Sequence, residues 1–230
     1  MQRYLWVLLW MQPWLIGCST LQNDIETARF HLDKGQYSDA ITILEPLVED
    51  DPTNFEVVSL AAEAYFGRGF LGESGSYLGV LSRYLAGQEA GNTNMQSIEN
   101  ATPAAAADGK TDIFLADDLL RTIPDASKTQ ENFLQAAFSD LALISVIGVA
   151  TVGALDTEDP CELNFAVITS DESSRFDRAL DEVGTHFEGA GIEFAGTELA
   201  NQLTQMQTDL DGALDLATYL ETEFEATLCP

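Results

Sequence analysis

Read for the spacing of its apolar positions, the first third of the chain carries one pattern twice. Small, apolar and turn residues recur 34 positions apart between 24–51 and 58–81: Ala28 with Ala62, His31 with Tyr65, Gly35 with Gly69, Ala40 with Ser74, Leu44 with Leu78 and Leu47 with Leu81. In each copy, apolar positions fall at helical intervals on both sides of a glycine, which predicts two helices joined by a short turn. Ala28 and Ala62 suit a crossing where only a methyl group fits, and the four leucines suit the seam between neighbouring helices. Gly35 and Gly69 suit the left-handed end of a helix, and Pro52 suits the start of the next, where its missing N–H is no loss.

From 87 to 111 large apolar residues thin out while Gly, Asn, Pro and Ala accumulate. This predicts a long loop, either a lid over a binding surface or a tolerated insertion. Helical spacing resumes over 112–121, with Ile113, Phe114, Leu115, Leu119 and Leu120, and stops at Ile123-Pro124. Ser127 and Gln130 resemble a capping box for the next helix, whose stripe of Phe133, Leu134, Ala137, Phe138, Leu141 and Ile144 widens into an uncharged run over 141–155. Such a run must be surrounded on all sides. At ~1.5 Å rise per residue it is too short for a bilayer core, so it predicts a buried central helix.

Residues 163–168 read equally as a strand or as a continuing helix. Ser170 is a candidate cap for a helix that reaches Phe187 and is stopped by Gly189-Ala190-Gly191. Over 192–228, Phe194, Leu199, Leu203, Met206, Leu210, Leu214, Ala217 and Leu220 keep helical spacing, with Gly196 and Gly212 as places to interrupt or bend it. The expected fold is all-α: helical hairpins over 18–86, the loop over 87–111, and a helical region over 112–230 packed on the hairpins, either as degenerate repeats or as a distinct cap.

Three segments resemble the tetratricopeptide repeat, or TPR. Gly35-Gln36-Tyr37-Ser38-Asp39-Ala40-Ile41 joins two helices, Asp51-Pro52-Thr53-Asn54 closes the first unit, and Leu60-Ala61-Ala62-Glu63-Ala64-Tyr65 lies in the first helix of the second. The resemblance covers residues 21–86 and is strongest in the first copy; the second has a glycine-laden turn and a loose second helix. It implies a protein that holds another molecule. The first helices would present the surface that grips it, built from Asp24, Thr27, His31, Val58, Ala61 and Tyr65.

Residues 1–17 place one cation, Arg3, ahead of the apolar run 4–11, which reads as an export signal rather than a membrane span. Leu15-Ile16-Gly17-Cys18 resembles the bacterial lipobox. That resemblance implies cleavage before Cys18, lipid on its sulfur and attachment to an envelope membrane, with Ser19 pointing to the outer membrane facing the periplasm. Acyl chains of this kind anchor a protein without a transmembrane helix. Two cysteines remain, Cys161 and Cys229. In an oxidising compartment they are a candidate disulfide closing a long loop, worth ~4 kcal/mol on the chain-entropy account; two buried thiols are the other reading.

Thirty-eight acidic residues against ten basic ones give a formal net charge of -28, and 46% of the chain is apolar. Such a body repels nucleic acid and anionic lipid surfaces. A basic partner fits it, as does a plain solvated acidic surface in salty surroundings. Motifs for chemistry are thin. His31 holds a packing position in the repeat, and His186 follows Glu182 by one helical turn with no third ligand close in sequence, so no metal is expected. Gly67-Arg68-Gly69-Phe70-Leu71-Gly72 spells a dinucleotide pattern but follows a helix instead of a strand, so no cofactor is expected either. Asp209, Asp211 and Asp215 fail the spacing of a calcium loop.

The expectation is a non-enzymatic, lipid-anchored adaptor or scaffold of a bacterial envelope, with an envelope protein or peptide as partner and its oligomeric state open. An alternative follows from a resemblance to TPR lipoproteins associated with tripartite ATP-independent periplasmic, or TRAP, transporters. It implies a ligand-binding or accessory component of an uptake system, with a cavity lined by Phe138, Ile144 and Val149.

Overall fold

Gly35 adopts φ +68° and turns helix α1 (Gln12–Asp33) back into α2 (Tyr37–Asp50). The computed structural model describes residues 12–71, 107–152 and 168–220, and every regular element among them is helical. At the end of α1, Gly35 N–H bonds Leu32 C=O at 2.9 Å and Gln36 N–H bonds His31 C=O at 2.9 Å. That pair of bonds satisfies carbonyls the helix would otherwise leave open, and it requires the left-handed residue that glycine supplies.

Helix α3 (Phe55–Phe66) follows a turn in which the Asp51 carboxylate accepts from Thr53 N–H at 3.0 Å and from its hydroxyl at 2.7 Å. Asn54 caps α3, its side chain accepting from Val57 N–H. Pro52 therefore lies in the turn and does not open the helix as expected, because Asp51 and Asn54 supply the local acceptors on either side of it. α3 passes directly into a π-helical turn, Gly67–Leu71. Gly69 is not left-handed there; the positive-φ glycines among the described residues are Gly35, Gly191 and Gly196. Its role is close approach: a Cβ on Gly69 would lie 2.6 Å from the Gly109 carbonyl oxygen, and a Cβ on Gly109 would lie 2.5 Å from that of Gly69. Two bare backbones touch at this point.

Gly109 belongs to α4 (Ala107–Thr122), which starts inside the segment expected to be a loop. The rest of that segment, the second-copy residues Ser74, Leu78 and Leu81, and residues 163–167 lie outside the described residues. A 3-10 turn, Asp125–Ser127, leads to α5 (Gln130–Val152). Thr129 and Asn132 form its start, with Thr129 N–H donating to Asn132 Oδ1 at 3.0 Å and Asn132 N–H donating to Thr129 Oγ1 at 3.2 Å, so the Ser127–Gln130 box does not form. Helix α6 (Ser170–Gly189) opens on a capping box one residue earlier than expected, made by Thr169 and Glu172. It closes like α1, on Gly191 at φ +78° with Ile192 N–H bonded to Phe187 C=O at 3.0 Å. Helix α7 (Glu198–Gly212) begins only after Gly196, capped by Thr197, and a bend over 213–215 separates it from helical residues 216–220.

Among the described residues, each helix packs mainly on the described helix before or after it, with α1 also reaching α3 and α3 reaching α5. One core cluster runs from Ile25 to Leu220, and Leu143, Ile144 and Ile147 of α5 are fully buried within it. Over 142–147 the uncharged run of α5 is thus buried. No helix among the described residues is long and apolar enough to cross a membrane.

Candidate functional site

The six residues expected to line one groove are divided between surface and core. Asp24, Thr27 and His31 are half-buried on α1, where Thr27 donates to the Asn23 carbonyl at 2.7 Å and His31 Nδ1 lies 2.9 Å from Gln36 Oε1. Val58, Ala61 and Tyr65 are buried. Val58 packs with Ala62 of α3, Leu120 and Ile123 from the α4 region, and Ala136 of α5. The Tyr65 hydroxyl donates to the Glu45 carboxylate, and burial together with that carboxylate pushes its pKa up to about 12. Helix α4 packs on α3 and brings Leu120 against Val58, at a position that the repeat pattern leaves open. Cys18 falls within α1; Cys161 and Cys229 lie outside the described residues.

A different concavity is open. Leu134 and Phe138 of α5, Phe187 of α6, Ile192 and Phe194 of the connection that follows, and Leu199 of α7 line a cleft of about 510 Å³. Its shape comes from the Gly191 turn, which folds the connection back onto α6 so that the Phe187 and Phe194 rings stack with centroids 5.2 Å apart. Phe138 meets Phe187 edge to face at 6.1 Å. Three carboxylates, Glu63, Glu131 and Glu193, also line the cleft. Glu63 and Glu131 line an adjoining, more polar hollow as well, between α1, α3 and the start of α5, alongside Asp33 and Glu56. Burial raises the Glu63 pKa, and the nearby charges of Glu131 and Asp33 raise it further. An apolar floor therefore runs into an edge where negative charge is concentrated, with Arg29, bonded to Glu56 at 2.6 Å, lining the same hollow and partly offsetting the rise at Glu63.

Charged side chains also meet inside the bundle, between α4, α5 and α6. Asp117, 4% exposed, accepts from Arg121 Nε at 2.8 Å, Arg178 Nη2 at 2.7 Å and Arg175 Nη1 at 3.2 Å. Arg121 also donates through Nη1 to Glu182 at 2.7 Å. His186 Nδ1 lies 2.6 Å from Asp140 Oδ2, and burial pushes the Asp140 pKa up to about 6 although His186 pulls it down.

No family model matches the chain, and neither a curated protein nor a solved structure matches it. The cleft can hold an apolar group next to a cation. Glu182 and His186 stand one turn apart as their spacing predicts, and the structure adds Asp140 from a neighbouring helix. One signal in the sequence marks Asp140: a lone carboxylate immediately before an uncharged run on a helix expected to be buried. Which helix it would face was not legible, since that depends on how α5 and α6 cross.

Proposed function

We propose that this chain is a lipid-anchored, TPR-like binding protein of a bacterial envelope that docks a partner's peptide segment in the cleft between α5, α6 and the connection to α7. The observation that carries the reading is the joining of an aromatic floor to an acidic edge. Its occupant is a segment with an aromatic or aliphatic side chain next to Lys or Arg. Seating one such apolar side chain contributes about 1.5–3 kcal/mol, and a cation beside Glu63 and Glu131 relieves their mutual repulsion. The other reading, an accessory component of a TRAP-type uptake system, would place a small ligand in a cavity lined by Phe138, Ile144 and Val149. The open cleft and the fully buried Ile144 favour a peptide.

Selection of a random displayed peptide library on the full chain tests this. Enriched sequences are expected to pair Phe, Trp or Leu with a basic residue. Phe194→Asp should weaken a selected peptide at least ~10-fold, about 1.4 kcal/mol, and the double variant Glu63→Gln/Glu131→Gln should reduce the salt dependence of binding. Selection of acidic peptides, or binding indifferent to Phe194→Asp, refutes the cleft as the docking surface. The anchor has its own test. Cys18→Ser should move the protein from the membrane to the soluble fraction of disrupted cells, and continued sedimentation with membranes would contradict lipidation at Cys18.

A further inference from the structure

Asp140 and Glu182 put two negative charges beside His186, and the cation already present serves them unequally. Arg121 Nη1 donates to Glu182 at 2.7 Å, while its Nη2 stops 3.8 Å short of Asp140 Oδ1. Neither Arg121 Nη2 nor Asp140 Oδ1 has a hydrogen-bond partner among the described residues, and the Asp140 side chain is only 1% exposed. An unmatched carboxylate oxygen this deeply buried is costly unless something positive reaches it.

We propose that Asp140, Glu182 and His186 bind a divalent transition-metal ion of the zinc type. One donor atom from each residue lies within 4.8 Å of the other two, and His186 Nδ1 lies 2.6 Å from Asp140 Oδ2. Tetrahedral ligation with bonds of about 2.1 Å sets donors about 3.4 Å apart, inside that range, so small rotations of the side chains complete the set. One imidazole and two carboxylates suit zinc, manganese or iron better than calcium, which takes oxygen donors alone. Glu182 and His186 share a face of α6 through their four-residue spacing, and α5 supplies Asp140. The Glu182 side chain is 38% exposed and gives the ion access from solvent.

Binding requires two exchanges. The proton shared between Nδ1 and Oδ2 leaves to solvent, and Arg121 Nη1 releases Glu182. Arg121 keeps its 2.8 Å bond from Nε to Asp117 throughout, so it moves aside without losing its main partner. The resident guanidinium is therefore a competitor of the metal.

Titration of the full chain with Co2+ by visible absorption, followed by displacement with Zn2+, decides the matter. One equivalent of Co2+ should give ligand-field bands without thiolate charge transfer, which separates this site from the three cysteines. Asp140→Asn and His186→Gln should each weaken binding by about 100-fold or more, beyond the 10–100-fold typical of losing a supporting residue. Arg121→Gln should tighten it, and Asp211→Asn, a change at an exposed carboxylate, should leave it unchanged. If the buried replacements fail to fold, Glu182→Gln at the rim decides, with at least a 10-fold loss expected. Absence of the bands, thiolate charge transfer alone, or affinity unmoved by Glu182→Gln overturns the site.

Discussion

Asp117→Ala is expected to destabilise the protein by about 3–5 kcal/mol, the loss typical of removing one partner from a buried ionic cluster. Asp117 is where Arg121, Arg175 and Arg178 converge from two helices, and it is almost fully enclosed. Without it, α4 and α6 would still meet across three guanidinium groups whose central counter-charge is gone. Arg175 retains Asp118 and Asp171, and Arg121 retains Glu182, so the loss should stop short of unfolding the chain outright. Asp117→Asn keeps the shape and one acceptor oxygen and should lose less. Urea unfolding at unchanged m-value measures both. The informative control is Arg29→Ala: Arg29 and Glu56 meet at 2.6 Å, but their side chains are 46% and 51% exposed. Water already solvates that pair, and its loss should stay below about 1 kcal/mol and shrink in salt. If Asp117→Ala proves no worse than Arg29→Ala, burial of the cluster contributes nothing to the joining of α4 and α6.

Features fixed within a few residues were legible. The all-α class, the Gly35 turn and the glycine stop after α6 follow from local spacing and from the φ that only glycine adopts readily. So does the burial of α5 over 142–147, because an uncharged run must be covered by something. Helix starts were displaced by one or two residues, from Ser127 to Thr129 and from Ser170 to Thr169, since a cap is set by which side chain reaches the N–H three residues on.

What the sequence could not convey was pairing at a distance. Val58, Ala61 and Tyr65 have the spacing of an exposed groove lining, yet all three are buried: α4 packs on α3 with Leu120 beside Val58, and Gly69 meets Gly109, forty positions apart. The cleft depends on the same kind of information. Leu134, Phe138 and Phe194 read as positions on apolar helix stripes, Phe138 also as the lining of a cavity with Ile144 and Val149, and only the fold-back at Gly191 brings them to an opening together with Phe187. Asp140 and His186 likewise become partners through the crossing of α5 and α6.

Phe176→Ala should cost about 3–5 kcal/mol, and its consequence should reach the whole described body. Phe176 lies on α6 with no exposed surface, and its ring sits 6.5 Å from that of Tyr219 in the helical turn after α7. The cluster that contains it continues without a break to Leu44 of α2 and Ile25 of α1. A core shared this widely makes the hairpin α1–α2 and the layer α4–α6 one cooperative unit. Leu44→Ala, at a fully buried position in the hairpin, should then cost about 2–5 kcal/mol and move the same transition. Calorimetry of the two variants should each show a single endotherm shifted downward, with far-ultraviolet circular dichroism tracing the same midpoint. Two separable steps, one displaced by Leu44→Ala and the other by Phe176→Ala, would show that the hairpin and the α4–α6 layer fold independently despite their shared apolar contacts. A single step would mean that the cleft, whose floor comes from α5, α6 and α7 and whose edge includes Glu63 of α3, keeps its shape only while the entire cluster is intact. Phe176→Ala should in that case weaken peptide binding in proportion to the unfolded fraction and leave the intrinsic affinity of the folded molecules unchanged.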